Sequence, residues 1–308
     1  MKKVLVYAKH TPTARCGVAY FSAEMAKQFG GTLVHSYQGF SKCDEFYVNL
    51  DVFEMDEAEV RSLHNFISSG HAAKTILVMH DYRSSYVEDE LVKVADVVLN
   101  LSGEAALNDI APQKTLQLFT PSLIEAPVLE LTKAAQHPLT LSFGFFNARK
   151  KIFKQYVAFY EYMVQQYPDW YHIIAASAHT GDTASDSQLL AQMINSDRVI
   201  VTDFMPNQIL SELIHAADLG VFFYPTGIMV NNASPMAFFA AGKSVITTHG
   251  ALTPTEYKQF TLDGNDFTKI DFTNLAAFKT IGTAAQQYYQ TKLSWPVFAK
   301  LVTEYVGK

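Results

Sequence analysis

Cysteine and charge are both scarce in this chain. Cys16 and Cys43 are the only cysteines among 308 residues, too few for a disulfide framework or a cysteine metal cluster, and a usage that suits a reducing compartment. No apolar run approaches the about 18 residues that a membrane-spanning helix needs. The opening Met1-Lys2-Lys3-Val4-Leu5-Val6-Tyr7 stops being apolar at Lys9-His10, so it reads as a first buried strand and not as a leader. A cytoplasmic location is the expectation. No Asp-x-Asp occurs, which removes the usual carboxylate pair for a metal–nucleotide complex, and no metal site is expected. No Gly-x-Gly-x-x-Gly follows a strand, which removes a dinucleotide site. Residues 1–135 carry 12 Lys+Arg against 17 Asp+Glu, and residues 136–308 carry 12 against 13. The acidic first half lacks the basic footprint of a nucleic-acid or anionic-lipid binder.

What the chain does have is apolar content. At 49% hydrophobic and 18% charged it can bury two ordinary cores. Strand-like apolar runs alternate with helical patterns, the mark of parallel sheets with helical crossovers. In the first half, strands are predicted near Val4–Ala8, Thr75–Met79 and Val94–Leu101, with helices from Gly17 to Phe29 and across Asp56–Ser68. A stretch from Pro121 to Pro138 reads as the connection between halves. Leu139–Phe143 then opens a second series, with strands at Tyr171–Ala176, Arg198–Thr202, Leu219–Tyr224 and Ser244–Thr248. Trp295 followed by Val297, Leu301, Val302 and Tyr305 reads as a final amphipathic helix. The expected architecture is α/β: two Rossmann-like parallel-sheet domains facing each other across a cleft, 1–135 and 136–290, with 291–308 as a helix crossing back to the first.

The richest segment runs from Asp203 to Gly250. Ile209, Leu210, Leu213, Ile214 and Ala217 recur at helical spacing behind Pro206 and Asn207. Leu219–Tyr224 is a continuous apolar run ended by Pro225, as in a strand covered on both faces. The polar loop 227–232 feeds a small-residue helix, Ser234–Ala241, that ends at Gly242. A helix N-terminus at the carboxyl edge of a parallel sheet attracts phosphate through free N–H groups and the helix dipole. Gly242-Lys243-Ser244 also resembles the end of a nucleotide-triphosphate loop. That motif's first glycine would fall at Ala237, however, and the strand and helix around it stand in the wrong order.

The order of Ala217-Asp218, Pro225 and Gly242-Lys243-Ser244-Val245-Ile246 resembles the donor-sugar half of the retaining glycosyltransferases of GT-B fold, the large family 4. The resemblance implies a nucleotide-diphosphate sugar as co-substrate, no separate cofactor, and retention of configuration with the departing phosphate helping to take the acceptor proton. It also draws in residues outside that segment. Gly17, at a helix entrance, lies where the family brings backbone beside the diphosphate. The His80-Asp81 pair, just past a buried strand, matches the family's histidine near donor sugar and acceptor, and His10 holds a similar edge position. After Phe143-Gly144 come Arg149, Lys150 and Lys151, cations able to neutralise a leaving diphosphate. Lys150 matches the family lysine, while Phe145 stands where its arginine would be. Met229 and Ala237 occupy the places of the family's two glutamates, so donor contacts are expected from Met229, Asn231, Asn232 and Ser234.

The expectation is thus a metal-independent glycosyltransferase, hexosyl or pentosyl, with His80, Lys150 and Arg149 closest to the chemistry. Gly17, Gly144 and Lys151 would contact the donor, and His10 and Asp81 the acceptor, a glycan or other hydroxyl compound. Two alternatives stand beside it: a non-catalytic relative that kept the fold as a binding subunit, and a transferase acting on a polymer such as a glycan or modified DNA.

Overall fold

The computed structural model describes residues 2–11, 17–40, 42–50, 55–82, 84–124, 137–145, 153–177, 194, 196–202 and 204–307. The chain divides into two compact units, one running to Leu123 and resuming at Trp295, the other spanning Ile124–Ser294.

The first unit is built on β1 (Val4–Tyr7), α1 (Gly17–Gln28), β2 (Thr32–Val34), β3 (Cys43–Leu50), α2 (Glu57–Ser68), β4 (Ala72–Met79), α3 (Tyr86–Val94), β5 (Val97–Asn100), α4 (Ala105–Ile110) and β6 (Thr115–Gln117). Every pairing is parallel, in the order β2-β1-β3-β4-β5-β6. The stretches Val4–Tyr7, Ile76–Met79 and Val97–Leu99 are continuous apolar runs, as in a sheet covered by helices on both faces. Capping boxes start α2 and α3: Asp56 accepts from the Glu59 N–H while Glu59 accepts from the Asp56 N–H, and Ser85 and Glu88 repeat the exchange.

Two strands here depart from the sequence reading. The predicted strand Val94–Leu101 is shorter, because Val94 ends α3 and the Ala95-Asp96 turn intervenes. Strand β3 was not anticipated, since its amino end, Cys43-Asp44-Glu45, is charged. The charges are met locally: Glu45 pairs with Lys2 at 2.5 Å, and Asp44 accepts the Lys3 N–H at 2.6 Å.

The final helix, α10 (Trp295–Val306), completes this unit. Its Trp295 indole N–H donates to the Ser122 carbonyl at 2.9 Å, and its ring lies 5.0 Å from Phe21 of α1. Phe298 meets both Phe21 and Phe119 edge-on.

The second unit contains β7 (Leu139–Phe145), α5 (Phe153–Gln166), β8 (Tyr171–Ser177), β9 (Val199–Thr202), α6 (Asn207–Ala216), β10 (Leu219–Phe222), α7 (Ala233–Ala240), β11 (Ser244–Thr247), α8 (Thr255–Phe260), β12 (Thr261–Asp263) and α9 (Leu275–Tyr288). A π-helical turn, Tyr289–Leu293, leads out of α9. The sheet is again all parallel, ordered β12-β11-β10-β7-β8-β9, so its first and fourth strands lie side by side and the connections diverge from that point. This is the doubly wound order of a nucleotide-binding Rossmann sheet. A buried aromatic cluster holds α5 on the sheet, where Tyr156, Phe159, Phe223 and Phe272 are each fully enclosed.

One local device recurs in both units. Asp96 donates its N–H to the Thr75 carbonyl and accepts the Thr75 N–H on its carboxylate at 2.7 Å. Asp218 does the same with Leu139, at 2.8 and 2.9 Å. An Ala-Asp pair ahead of a parallel strand thus clamps the neighbouring strand just before their ladder begins, where backbone groups would otherwise be unpaired.

Truncating Trp295 to Ala should lower unfolding free energy by about 3–5 kcal/mol through the cavity it leaves. Trp295→Phe, which mainly removes the indole donor, should cost only about 1–2 kcal/mol. Urea-unfolding midpoints of the two variants check this order.

Candidate functional site

In open α/β sheets ligands collect beyond the carboxyl ends of the strands, where the connections diverge. In the second unit that place is the end of β7 and β10. Gly144, the penultimate residue of β7, has φ +106°, a conformation that side chains with a Cβ disfavour. Arg149, Lys150 and Lys151, expected beyond it, lie outside the described residues.

The loop after β10 is tied down from two directions. The Thr248 hydroxyl accepts the Tyr224 N–H at 2.8 Å and donates to the Tyr224 carbonyl at 2.6 Å, while the Ile228 N–H reaches the Thr248 carbonyl at 3.0 Å. Gly227, with φ +86°, passes so close to the turn after β11 that a Cβ would stand 2.3 Å from both the Gly250 nitrogen and the Thr253 hydroxyl. Only glycine fits there. The loop then closes on itself: the Met229 N–H donates to the Asn232 side-chain oxygen at 2.7 Å, and the Asn232 N–H returns to the Met229 carbonyl at 3.2 Å.

That exchange has a consequence for the helix that follows. Asn232 is the N-cap of α7, but its side chain is turned back to Met229 and makes no cap hydrogen bond. The first-turn N–H groups, including that of Ser234, therefore lack both an intrahelical acceptor and a side-chain cap. Pro235 in the same turn contributes no donor. The Asn231 side-chain oxygen is enclosed with no hydrogen-bond partner. Phe238 of α7 packs against Phe222 and Phe143 at 5.5 and 6.1 Å, which seats the helix on β10 and β7. The structure thus brings Gly144, Met229, Asn231, Asn232 and Ser234 to one edge of one sheet. Lys243 is engaged elsewhere, donating to the His215 carbonyl at the end of α6 at 2.5 Å. Ala237 is buried in the α7 packing face at 4% exposure.

In the first unit the connections diverge between β1 and β3. His10 follows β1, Gly17 is the first residue of α1, and His80 and Asp81 follow β4, so all four belong to the carboxyl edge of that sheet. His80 is the most constrained. Its Nε2 lies 3.0 Å from the Asn49 side-chain oxygen, and its ring meets Phe21 edge-on at 4.7 Å. Though it retains some solvent access, burial pushes its pKa down to about 4. The imidazole is therefore neutral near pH 7. Asn49, buried at 2% exposure, was missed in the sequence because β3 was missed. Its signal was an amide inside the otherwise apolar run Phe46–Leu50.

Among the described residues no group of His, Cys, Asp and Glu is arranged to hold a metal ion, and no helix is long and apolar enough to cross a membrane.

No protein-family model matches the chain, and no curated protein matches it. Solved structures do. An alpha-glucosyltransferase in complex with UDP and a 13-mer DNA containing an HMU base aligns over 100% of both chains, with TM-score 0.69 and 12% identity. A glycosyltransferase from Rickettsia africae ESF-5 aligns over 99% of this chain and 97% of its own, with TM-score 0.66 and 10% identity. Sucrose-phosphate synthase from Thermosynechococcus elongatus aligns over 99% and 98%, with TM-score 0.64 and 15% identity. With two Rossmann-like parallel units matched end to end, the chain has the GT-B fold.

Two buried histidines make stability depend on pH. His80 titrates at about 4, and His172, fully enclosed on β8 with its Nδ1 2.8 Å from the Thr140 hydroxyl, at about 3, both lowered by burial. Each takes up a proton more readily when unfolded, at about 6.5. Their stabilising contribution is therefore full above pH 6.5 and is lost as pH falls towards 4 and 3. Between pH 7 and pH 5 each histidine should cost about 1–2 kcal/mol of unfolding free energy. Urea titrations should show the loss, and His172→Gln should remove its share of the pH dependence.

Proposed function

We propose that the chain is a retaining, metal-independent glycosyltransferase that moves a sugar from a nucleotide-diphosphate donor to an acceptor hydroxyl. The observation that carries the reading is the uncapped N-terminus of α7, held at the point where the second unit's connections diverge. Donors fixed in advance at a helix end stabilise charge as it develops on a leaving diphosphate, without reorganisation at the moment of reaction. In this proposal Ser234 and its neighbouring N–H groups take one phosphate. Lys150 and Arg149, with Lys151, neutralise the pair, and Gly144 lets backbone approach it. Met229, Asn231 and Asn232 contact the donor. Gly17 belongs to the donor side as well, His80 to the reacting sugar, and His10 and Asp81 to the acceptor. The departing phosphate oxygen takes the acceptor's proton on the face it leaves, which preserves the anomeric configuration.

Similarity to an alpha-glucosyltransferase in complex with UDP and to a structure bound with UDP-2-fluoro glucose supports a nucleotide-sugar donor. A glycan or small hydroxyl compound is the preferred acceptor. One similar structure holds DNA, yet the net charge of −5 over residues 1–135 (12 Lys+Arg, 17 Asp+Glu) disfavours a polyanion; salt-dependent retention on DNA would reverse that preference.

A second reading, a non-catalytic binding subunit, is favoured by one feature: Met229 and Ala237 stand where the resembled family carries glutamates. Turnover separates the two. Incubated with uridine, guanosine, adenosine and cytidine diphosphate sugars, the enzyme should release nucleoside diphosphate from one of them. Lys150→Ala should lower kcat/KM by about 100- to 1000-fold with an unchanged melting temperature. No hydrolysis or transfer from any donor would favour the binding subunit.

A further inference from the structure

Asn49 lies on β3 and His80 directly follows the adjacent strand β4, and their side chains meet on the same side. In β3 the side chains of Phe46, Val48 and Leu50 enter one core, as do Leu77 and Met79 of β4. Alternation along each strand sends Asn49 and His80 to the opposite face, beneath α1. There Asn49 is enclosed at 2% exposure. Its Nδ2 reaches the Met25 sulfur at 3.8 Å, and its Oδ1 lies 3.0 Å from His80 Nε2.

This arrangement decides which ring nitrogen carries the proton. An amide oxygen only accepts, so the Nε2 beside it must donate. Flipping the amide would set its oxygen against a thioether, which has no hydrogen to give, and its NH2 group against Nε2. The orientation with Oδ1 on the histidine satisfies both ends and the flipped one does not. In a neutral imidazole with Nε2–H, Nδ1 bears a lone pair. Nδ1 makes no hydrogen bond with the described residues and is not among the enclosed polar atoms. It is an acceptor without a partner among the described residues, at the carboxyl edge of the sheet. Such an atom suits a hydroxyl and repels a phosphate oxygen, which is also an acceptor.

We propose that Asn49 is a positioning residue that holds His80 as the Nε2–H tautomer, so that Nδ1 accepts a hydrogen bond from a hydroxyl of the sugar substrates and not from the diphosphate. The hydroxyl contact rests on the transferase reading; the tautomer does not. Asn49→Leu keeps the volume and removes the acceptor, whereas Asn49→Asp keeps an oxygen facing Nε2.

Long-range proton–nitrogen correlation NMR of the ligand-free protein at neutral pH reads the tautomer directly. The wild type should show a protonated Nε2 and a bare Nδ1, Asn49→Leu a mixture of tautomers, and Asn49→Asp the wild-type pattern. With a donor that the wild type turns over, Asn49→Leu should lose about tenfold to a hundredfold in kcat/KM, Asn49→Asp should recover part of it, and nucleoside-diphosphate affinity should stay level. A bare Nε2 in the wild type, or an unchanged tautomer in Asn49→Leu, overturns the proposal. Should Asn49→Leu fail to fold, Asn49→Ala, which likewise removes the acceptor, gives the same tautomer readout. A wild type with the expected tautomer but no turnover of any donor would refute the transferase reading and the hydroxyl contact together, leaving the Asn49 lock standing.

Discussion

Parallel pairing brings every strand of a sheet out at one edge, and in the second unit this constraint sets where the candidate site lies. With β7 and β10 adjacent and their connections leaving in opposite directions, the chain must open a gap beyond their carboxyl ends. What fills the rim of that gap depends on close backbone contact. Gly227 lies against Gly250 with no space for a Cβ, and Thr248 locks Tyr224 through both of its backbone groups. The loop is thereby short and fixed, and Asn232 is spent on bracing Met229 instead of capping α7. The uncapped donors of that helix are a by-product of how the loop is braced.

The first unit solves a different problem. Its edge carries a histidine made neutral by burial and oriented by a buried amide. The cost appears in stability, since an imidazole that resists protonation when folded weakens the protein in acid.

Much of the fold was legible in the sequence because parallel strands covered on both faces are uninterrupted apolar runs, as Leu219–Tyr224 and Ser244–Thr248 illustrate. Strands β2, β6 and β12, three residues each, carry too little pattern to read. Strand β3 hid behind Asp44 and Glu45, whose partners Lys2 and Lys3 come from the distant amino terminus. Some of the recognisable words proved structural: Asp218 clamps the start of β7, and Lys243 closes the end of α6. They report the architecture, not the chemistry. The candidate site was only partly visible. Residue types placed Asn231, Asn232 and Ser234 at a helix entrance, but nothing in their order reveals that Asn232 turns away from the helix. Asn49 could not be joined to His80 without the pairing of β3 with β4.

The central claim is that the second unit binds a pyrophosphate at the free end of α7. Thermal unfolding in the presence of UDP, GDP, ADP or CDP tests it most directly. One of the four should raise the midpoint saturably, by the equivalent of about 2.7 kcal/mol at a hundredfold excess over its Kd, while the matching nucleoside gives much less. If none of the four shifts unfolding at millimolar concentration, or if nucleoside and diphosphate act alike, the account is wrong.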